Sequence, residues 1–258
     1  MISRYEAYMD GIALSGIHPG IMILDIGHSV PNSRFQTAAM ANRHGNSFLS
    51  EHVDGAGVHI SMELHIYSIA ERQRVCQEIQ RWARGSVLEV NDRPGQRLNV
   101  RCTAFPGIES ALMWTDPVEV DFAAFEKPFW EEKAVSSLTL PAGTSGSDYL
   151  FVPGNAGDTL CEITVTPESG NTLNTIGIGC GTTVLNFSDL GATNSNPLKV
   201  RYNDKQIMSI KVGTTSAMGK RTAASADDIL MKCGEKNLCS YSANVSVTAT
   251  FSARGLWL

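Results

Sequence analysis

Hydrophobic and polar residues alternate cleanly at the centre of the first half of this chain. Val58, Ile60, Met62, Leu64 and Ile66 fall on one side, with His59, Ser61, Glu63, His65 and Tyr67 on the other, which predicts a strand with one buried face. The period then changes. Val75, Cys76, Ile79, Trp82 and Ala83 recur at helical spacing, so one apolar stripe can lie on a sheet. Ser68-Ile69-Ala70-Glu71 fits a capping box at the start of that helix, and Gly85 is placed to end it. Arg93-Pro94-Gly95-Gln96 suits a type II turn, because proline presets φ at the second position and glycine tolerates positive φ at the third. Beyond it Leu98, Val100 and Cys102 face one way and Arg97, Asn99, Arg101 and Thr103 the other, which reads as one amphipathic strand.

After Trp130 the helical period disappears and Ser, Thr, Gly and Val dominate. The domain boundary is therefore placed near residue 133, giving domains 1–133 and 134–258. In the second, Cys161–Thr166, Leu198–Tyr202, Met208–Val212 and Val245–Phe251 alternate at period two, separated by turn clusters such as Asn155–Asp158 and Asn194–Pro197. Short strands with turns between them predict an antiparallel β-sandwich. The expected class is mainly β: a β-sandwich-like first domain with one packed α-helix, then a second sandwich.

Charge separates the halves. Residues 1–133 carry 12 Lys/Arg against 17 Asp/Glu, a net of −5, and residues 134–258 carry 9 of each. Phosphate contacts require clustered Lys and Arg, so general nucleic-acid binding is not expected. No apolar run reaches the length of a membrane span, and Met1–Glu6 lacks the basic-then-apolar plan of a signal peptide. The expectation is folding in a cytoplasm, with the six cysteines (76, 102, 161, 180, 233, 239) as free thiols.

No cofactor, metal or catalytic constellation is expected. His59, Glu63 and His65 share a strand face, but at about 3.3 Å per residue the histidines stand roughly 20 Å apart, too far to share one ion. Gly27-His28-Ser29-Val30-Pro31 has proline where a nucleophile elbow needs glycine. Ile176–Gly181 is glycine-rich, yet no Lys-Ser/Thr follows, so bulges or close strand packing explain it better than a phosphate cradle. Cys233 and Cys239 would need Cys161 and Cys180 to converge before zinc could bind, and residues 134–258 contain no histidine. Without a secretory signal, the sequons at Asn186 and Asn244 are ordinary strand residues.

Several motifs in order give a resemblance. Asp92-Arg93-Pro94-Gly95 precedes a Val100-Arg101 strand, Ala111-Leu112-Met113-Trp114-Thr115-Asp116 follows, and Phe129-Trp130-Glu131 closes the half. Pro31-Asn32, Ala70-Glu71-Arg72 leading to Trp82-Ala83, and the terminal Arg254-Gly255-Leu256-Trp257-Leu258 add to it. With these the chain resembles the distal tail proteins of long-tailed, non-contractile bacteriophages and prophages. The resemblance is strong over residues 1–131 and looser over 134–258, where only Ser225-Ala226-Asp227-Asp228 and the Arg-Gly segment agree. It implies a structural, non-enzymatic tail-tip (baseplate) protein of the virion, assembled in the bacterial host's cytoplasm. Its first domain would form a homo-hexameric ring around a channel for the passing DNA. Its second, galectin-like domain would anchor receptor-binding or other baseplate proteins. The major tail tube protein and a tail-associated hub protein would be the other partners. Six copies would bring about −30 of charge to the ring domain, which discourages adhesion to DNA if the acids face inward. Trp114 and Trp130, beside Pro117 and Pro128, are candidate ring-interface anchors or core residues. The rival reading is a carbohydrate-binding module on a β-rich anchor. Against it, galactoside-binding galectins use a histidine and a stacking tryptophan, whereas the second domain has no histidine and one tryptophan, Trp257.

Overall fold

The computed structural model describes residues 4–29, 33–39, 46–53, 55–107, 117–125, 127–203, 205–222 and 224–258. Across these residues the protein is mainly β with one α-helix, and it divides into two compact units, Met1–Glu131 with Leu258 and Glu132–Trp257.

In the first unit, one sheet orders the strands Ile12–Ala13, Ala7–Met9, Val87–Val90, Gln96–Asn99 and Trp130–Glu132, and a second orders Ile21–Ser29, Gly57–Leu64, Val118–Ala123 and Arg101–Ala104. Ser33–Ala39 and Asn46–Val53 pair separately. The alternation at Val58–Leu64 is realised as a strand whose even residues are buried. The helix, Ile69–Trp82, begins at Ser68, whose hydroxyl accepts from Glu71 N at 3.4 Å. The Glu71 carboxylate pairs with His18 Nε2 at 3.3 Å. Val75, Cys76, Ile79 and Trp82 are buried, as the stripe predicts, and the Trp82 ring meets Phe122 edge to face at 6.1 Å. Arg72 is also buried (3% exposed), and its Nη1 donates to Leu64 O at 3.0 Å. It holds the helix to the end of the central strand.

Two expectations need correction here. The single strand predicted after the Pro-Gly turn is two strands in different sheets, Gln96–Asn99 and Arg101–Ala104. Val100, buried, donates to Ser86 O at 2.9 Å where the chain passes between them. Side-chain alternation continues through such a corner, so period alone cannot reveal it. Gly85 lies beyond the helix end at Trp82 and has no left-handed φ; a Cβ there would stand 2.2 Å from Met9 Cγ, so close approach explains the glycine.

The second unit is built on a long ribbon. Lys236–Ala253 pairs along its length with Ser136–Phe151. Its first half also pairs with Ile176–Cys180 and its second half with Glu162–Pro167. The sheet extends through Thr183–Phe187 at one end and through Leu198–Tyr202, Met208–Val212 and Thr215–Ser216 at the other. Register shifts around Gly143 bend the ribbon. At the bend the buried Tyr241 hydroxyl donates to Pro141 O at 2.7 Å. One core results, with Leu140, Ile163, Ile178, Val200, Ile210 and Phe251 from different strands. Gly177 and Gly179 sit in a regular strand, where a Cβ would crowd Asn186 and Ser240, so they serve close strand packing without a bulge.

Candidate functional site

The motifs around Arg93 and Trp130 converge in the first unit. The turn forms as the Pro-Gly pair dictates: Gly95 has φ +81° and Gln96 N donates to Arg93 O at 3.3 Å. It presents Arg93, whose guanidinium lies over the Trp130 ring at 5.2 Å and donates from Nη1 to Leu258 O at 2.8 Å. His28 meets the same ring edge-on at 5.5 Å, and its Nε2 is 2.7 Å from Asp92 Oδ2. Next to Trp130, Glu131 accepts from Arg97 Nε and Nη2 at 3.0 and 2.7 Å and from Lys127 Nζ at 3.3 Å. Burial alone would raise the Glu131 carboxyl; the hydrogen bonds from Arg97 and the charge of Lys127 outweigh it and hold the group below its usual range. Among the described residues, the buried polar atoms His28 Nδ1 and Gln96 Oε1 have no hydrogen-bond partner.

Trp130 is 2% exposed. Within the single chain the ring is enclosed by Arg93, His28 and its own unit. Trp114, with the rest of 111–116, lies outside the described residues, as do Pro31 and Asn32.

His59 Nδ1 contacts Asp121 Oδ1 at 2.6 Å, and His65 Nε2 contacts Glu63 Oε2 at 3.2 Å. Among the described residues no three His, Cys, Asp or Glu side chains gather as metal ligands. The Ser29 hydroxyl, in the segment compared above with a nucleophile elbow, accepts from Gly57 N at 2.7 Å within a strand. Three thiols do meet in the second core. Cys180 and Cys239 are register partners, and Cys180 hydrogen-bonds with both Cys161 and Cys239. The contact with Cys161 raises the Cys180 thiol and burial adds to the rise, outweighing the opposite pull of Cys239, so Cys180 is held as an unreactive thiol. Spacing could not show this, because the three come from separate strands. Asn244, from a sequon, is exposed, and its Oδ1 accepts from Asn174 N and Thr175 N, both at 3.0 Å.

On the second unit's surface, Tyr149 (59% exposed) stands opposite Leu238 (42%), and Phe151 (51%) is two residues along. Phe187, Tyr241 and Phe251 are buried.

These features define a two-unit, mainly β protein. No family model matches the chain, and no curated protein matches it. Among solved structures it is similar to the Dit protein of SPP1, a paradigm of the hub adsorption apparatus in phages infecting Gram-positive bacteria, with a TM-score of 0.70 and 14% identity over 97% of this chain and 98% of that one. A chain of the phage P2 baseplate in its activated conformation with Ca aligns over 99% and 98%, with a TM-score of 0.48 and 7% identity. The first of these likenesses shows a shared fold over nearly the whole chain.

Proposed function

We propose that this chain is a structural, non-enzymatic tail-tip component of a long-tailed phage, a distal tail protein that joins the tail tube to the adhesion device. The observation that carries the reading is the whole-chain likeness to the SPP1 hub protein, reached independently of the motif order in residues 92–131. In this reading residues 1–133 of six copies close a ring around the DNA channel, and residues 134–258, a galectin-like domain, project to hold receptor-binding or baseplate proteins. A closed ring needs two different, complementary surfaces on each copy. Trp114 is a candidate for one of them. Trp130 contributes by fixing Arg93 and His28. The tail tube protein and a tail hub protein are the axial partners, and the site of action is the virion tail tip after assembly in the host cytoplasm. Light scattering on the purified chain tests this: each copy weighs 27.9 kDa, so a mass near six copies is expected, and a monomer at every concentration contradicts it.

The exposed pair Tyr149 and Phe151 beside Leu238 favours a second reading, a sugar platform on the second unit. Protein docking accounts for the same patch, because the second unit has no histidine. Titration with lactose followed by NMR separates the two; a saturable millimolar site would establish the sugar reading.

A further inference from the structure

Charge is distributed unevenly inside the second unit. Residues 190–226 hold six Lys/Arg (199, 201, 205, 211, 220, 221) against one acid, Asp204, whereas the rest of 134–258 holds three against eight. The fold gathers much of this basic run at one end of the sheet, on the strands Leu198–Tyr202 and Met208–Val212. Leu198, Val200 and Ile210 point into the core, so Lys199 and Lys211 point outward, and both are exposed. They are register partners. The bond from Gly213 N to Pro197 O fixes the parity of the ladder, which makes Lys199 and Lys211 a hydrogen-bonded pair with Cα atoms about 5.5 Å apart. Like charges directly opposite destabilise a sheet. Among the described residues neither ammonium has an acidic partner, while the neighbouring Arg201 is paired with Glu162 at 3.4 Å. The same row continues across the sheet as Thr164, Thr250 and Thr139, the last two with hydroxyls 3.1 Å apart. The result is a hydroxyl-lined face with two uncompensated cations.

The first unit carries its counterpart. On the outer face of its sheet of Ile21–Ser29, Gly57–Leu64, Val118–Ala123 and Arg101–Ala104, Asp25 and Glu119 are exposed, and the Glu63 and Asp121 side chains are 46% and 47% exposed. Among the described residues the positive groups on that face are Arg101 and the histidines, with His59 between Glu119 and Asp121 and His65 on Glu63. Among the same described residues, four acids share this face with one arginine and the two histidines.

We propose that the Lys199–Lys211 face of one copy docks on this acidic face of a second copy of the chain. The inference rests on the reading of the chain as self-assembling and assigns it a contact. The carboxylates of the second copy relieve the lysine repulsion, and the use of two different faces makes the contact heterologous, so it can accompany the ring that residues 1–133 close. Sedimentation of the full chain over a range of concentrations, in low and high salt, tests it. K199E/K211E and D25K/E119K should each weaken association about tenfold or more at low salt, and the four substitutions together should restore it. K232E/K236E, with the same charge change at exposed positions off this face, should leave it unchanged. Circular dichroism checks that each variant folds; if K199E/K211E does not, K199Q/K211Q should still weaken association and flatten its salt dependence. Variants that assemble like the wild type overturn the contact and leave the ring reading standing. Loss without restoration, or a salt-sensitive change that ignores protein concentration, also overturns the contact. A wild type that never self-associates overturns both.

Discussion

Replacing Trp130 with alanine separates its core role from an interface role. The ring is 2% exposed, lies under the Arg93 guanidinium at 5.2 Å and is met by His28 at 5.5 Å. Truncating a buried Trp to Ala costs about 3–5 kcal/mol, and the lost cation–π contact adds about 0.5–1 kcal/mol. A loss of about 4 kcal/mol is a large share of the 5–15 kcal/mol that holds an ordinary domain. With a urea slope of about 2 kcal/mol/M, the midpoint of the first unit's transition should fall by about 2 M. Tryptophan fluorescence reports that transition well, since Trp82, Trp114 and Trp130 all precede the division at Glu131 and only Trp257 follows it. The shift should be the same at two protein concentrations a decade apart. If Trp130→Ala instead leaves the midpoint in place and lowers only the assembled mass, the residue is an interface anchor and the core argument is wrong.

Glu131→Gln should cost about 2 kcal/mol at neutral pH, because it weakens charge-assisted hydrogen bonds at a carboxylate that is mostly shielded from water. The carboxyl is held below its ordinary value of 4.5, so its contribution is complete above that pH and is lost as the pH falls through the lowered value; denaturation across pH 7 to 3 should show wild type and variant converging in acid, and a gap that persists undiminished at the acid end contradicts this. Burial pushes the Cys102 and Cys233 thiols up only while the chain keeps them half-covered, and Cys76, Cys161, Cys180 and Cys239 are buried. Alkylation of the native chain should reach Cys102 and Cys233 first and all six only after unfolding, and fast native labelling of Cys180 refutes the packing described. Gly154 has φ +127° and a Cβ there would stand 2.2 Å from Leu256 O; Gly154→Ala should destabilise the second unit by about 2 kcal/mol or more, and an unchanged melting temperature contradicts it.

Much of this architecture is legible in the chain because local signals agree with the packing. Val58–Leu64 alternates because one face of its strand is core, and Ser68 opens the helix because its hydroxyl satisfies an amide that no preceding turn can reach. Arg93–Gln96 forms its turn from two residues alone. Other features depend on what each residue meets. That Trp130 sits under Arg93 and beside His28 cannot be read from its place in the sequence. Ser136–Phe151 is strand despite its glycines and Pro141, because its partner Lys236–Ala253 supplies the order, and as a mostly exposed strand it shows little alternation. The Asp10-Gly11 hairpin, with φ of 51° and 80°, is a local signal that hydrophobic pattern misses because its strands are only two and three residues long. The Cys161–Cys180–Cys239 cluster and the opposition of Lys199 and Lys211 are products of register, which single-strand patterns do not encode.

The central claim is that copies of this chain close into a ring at a phage tail tip. Negative-stain imaging of the purified full-length protein tests it most directly, at a concentration where light scattering shows assembly. The account predicts six-fold class averages with an open centre. Monomers, or closed particles of another symmetry without a channel, would contradict it.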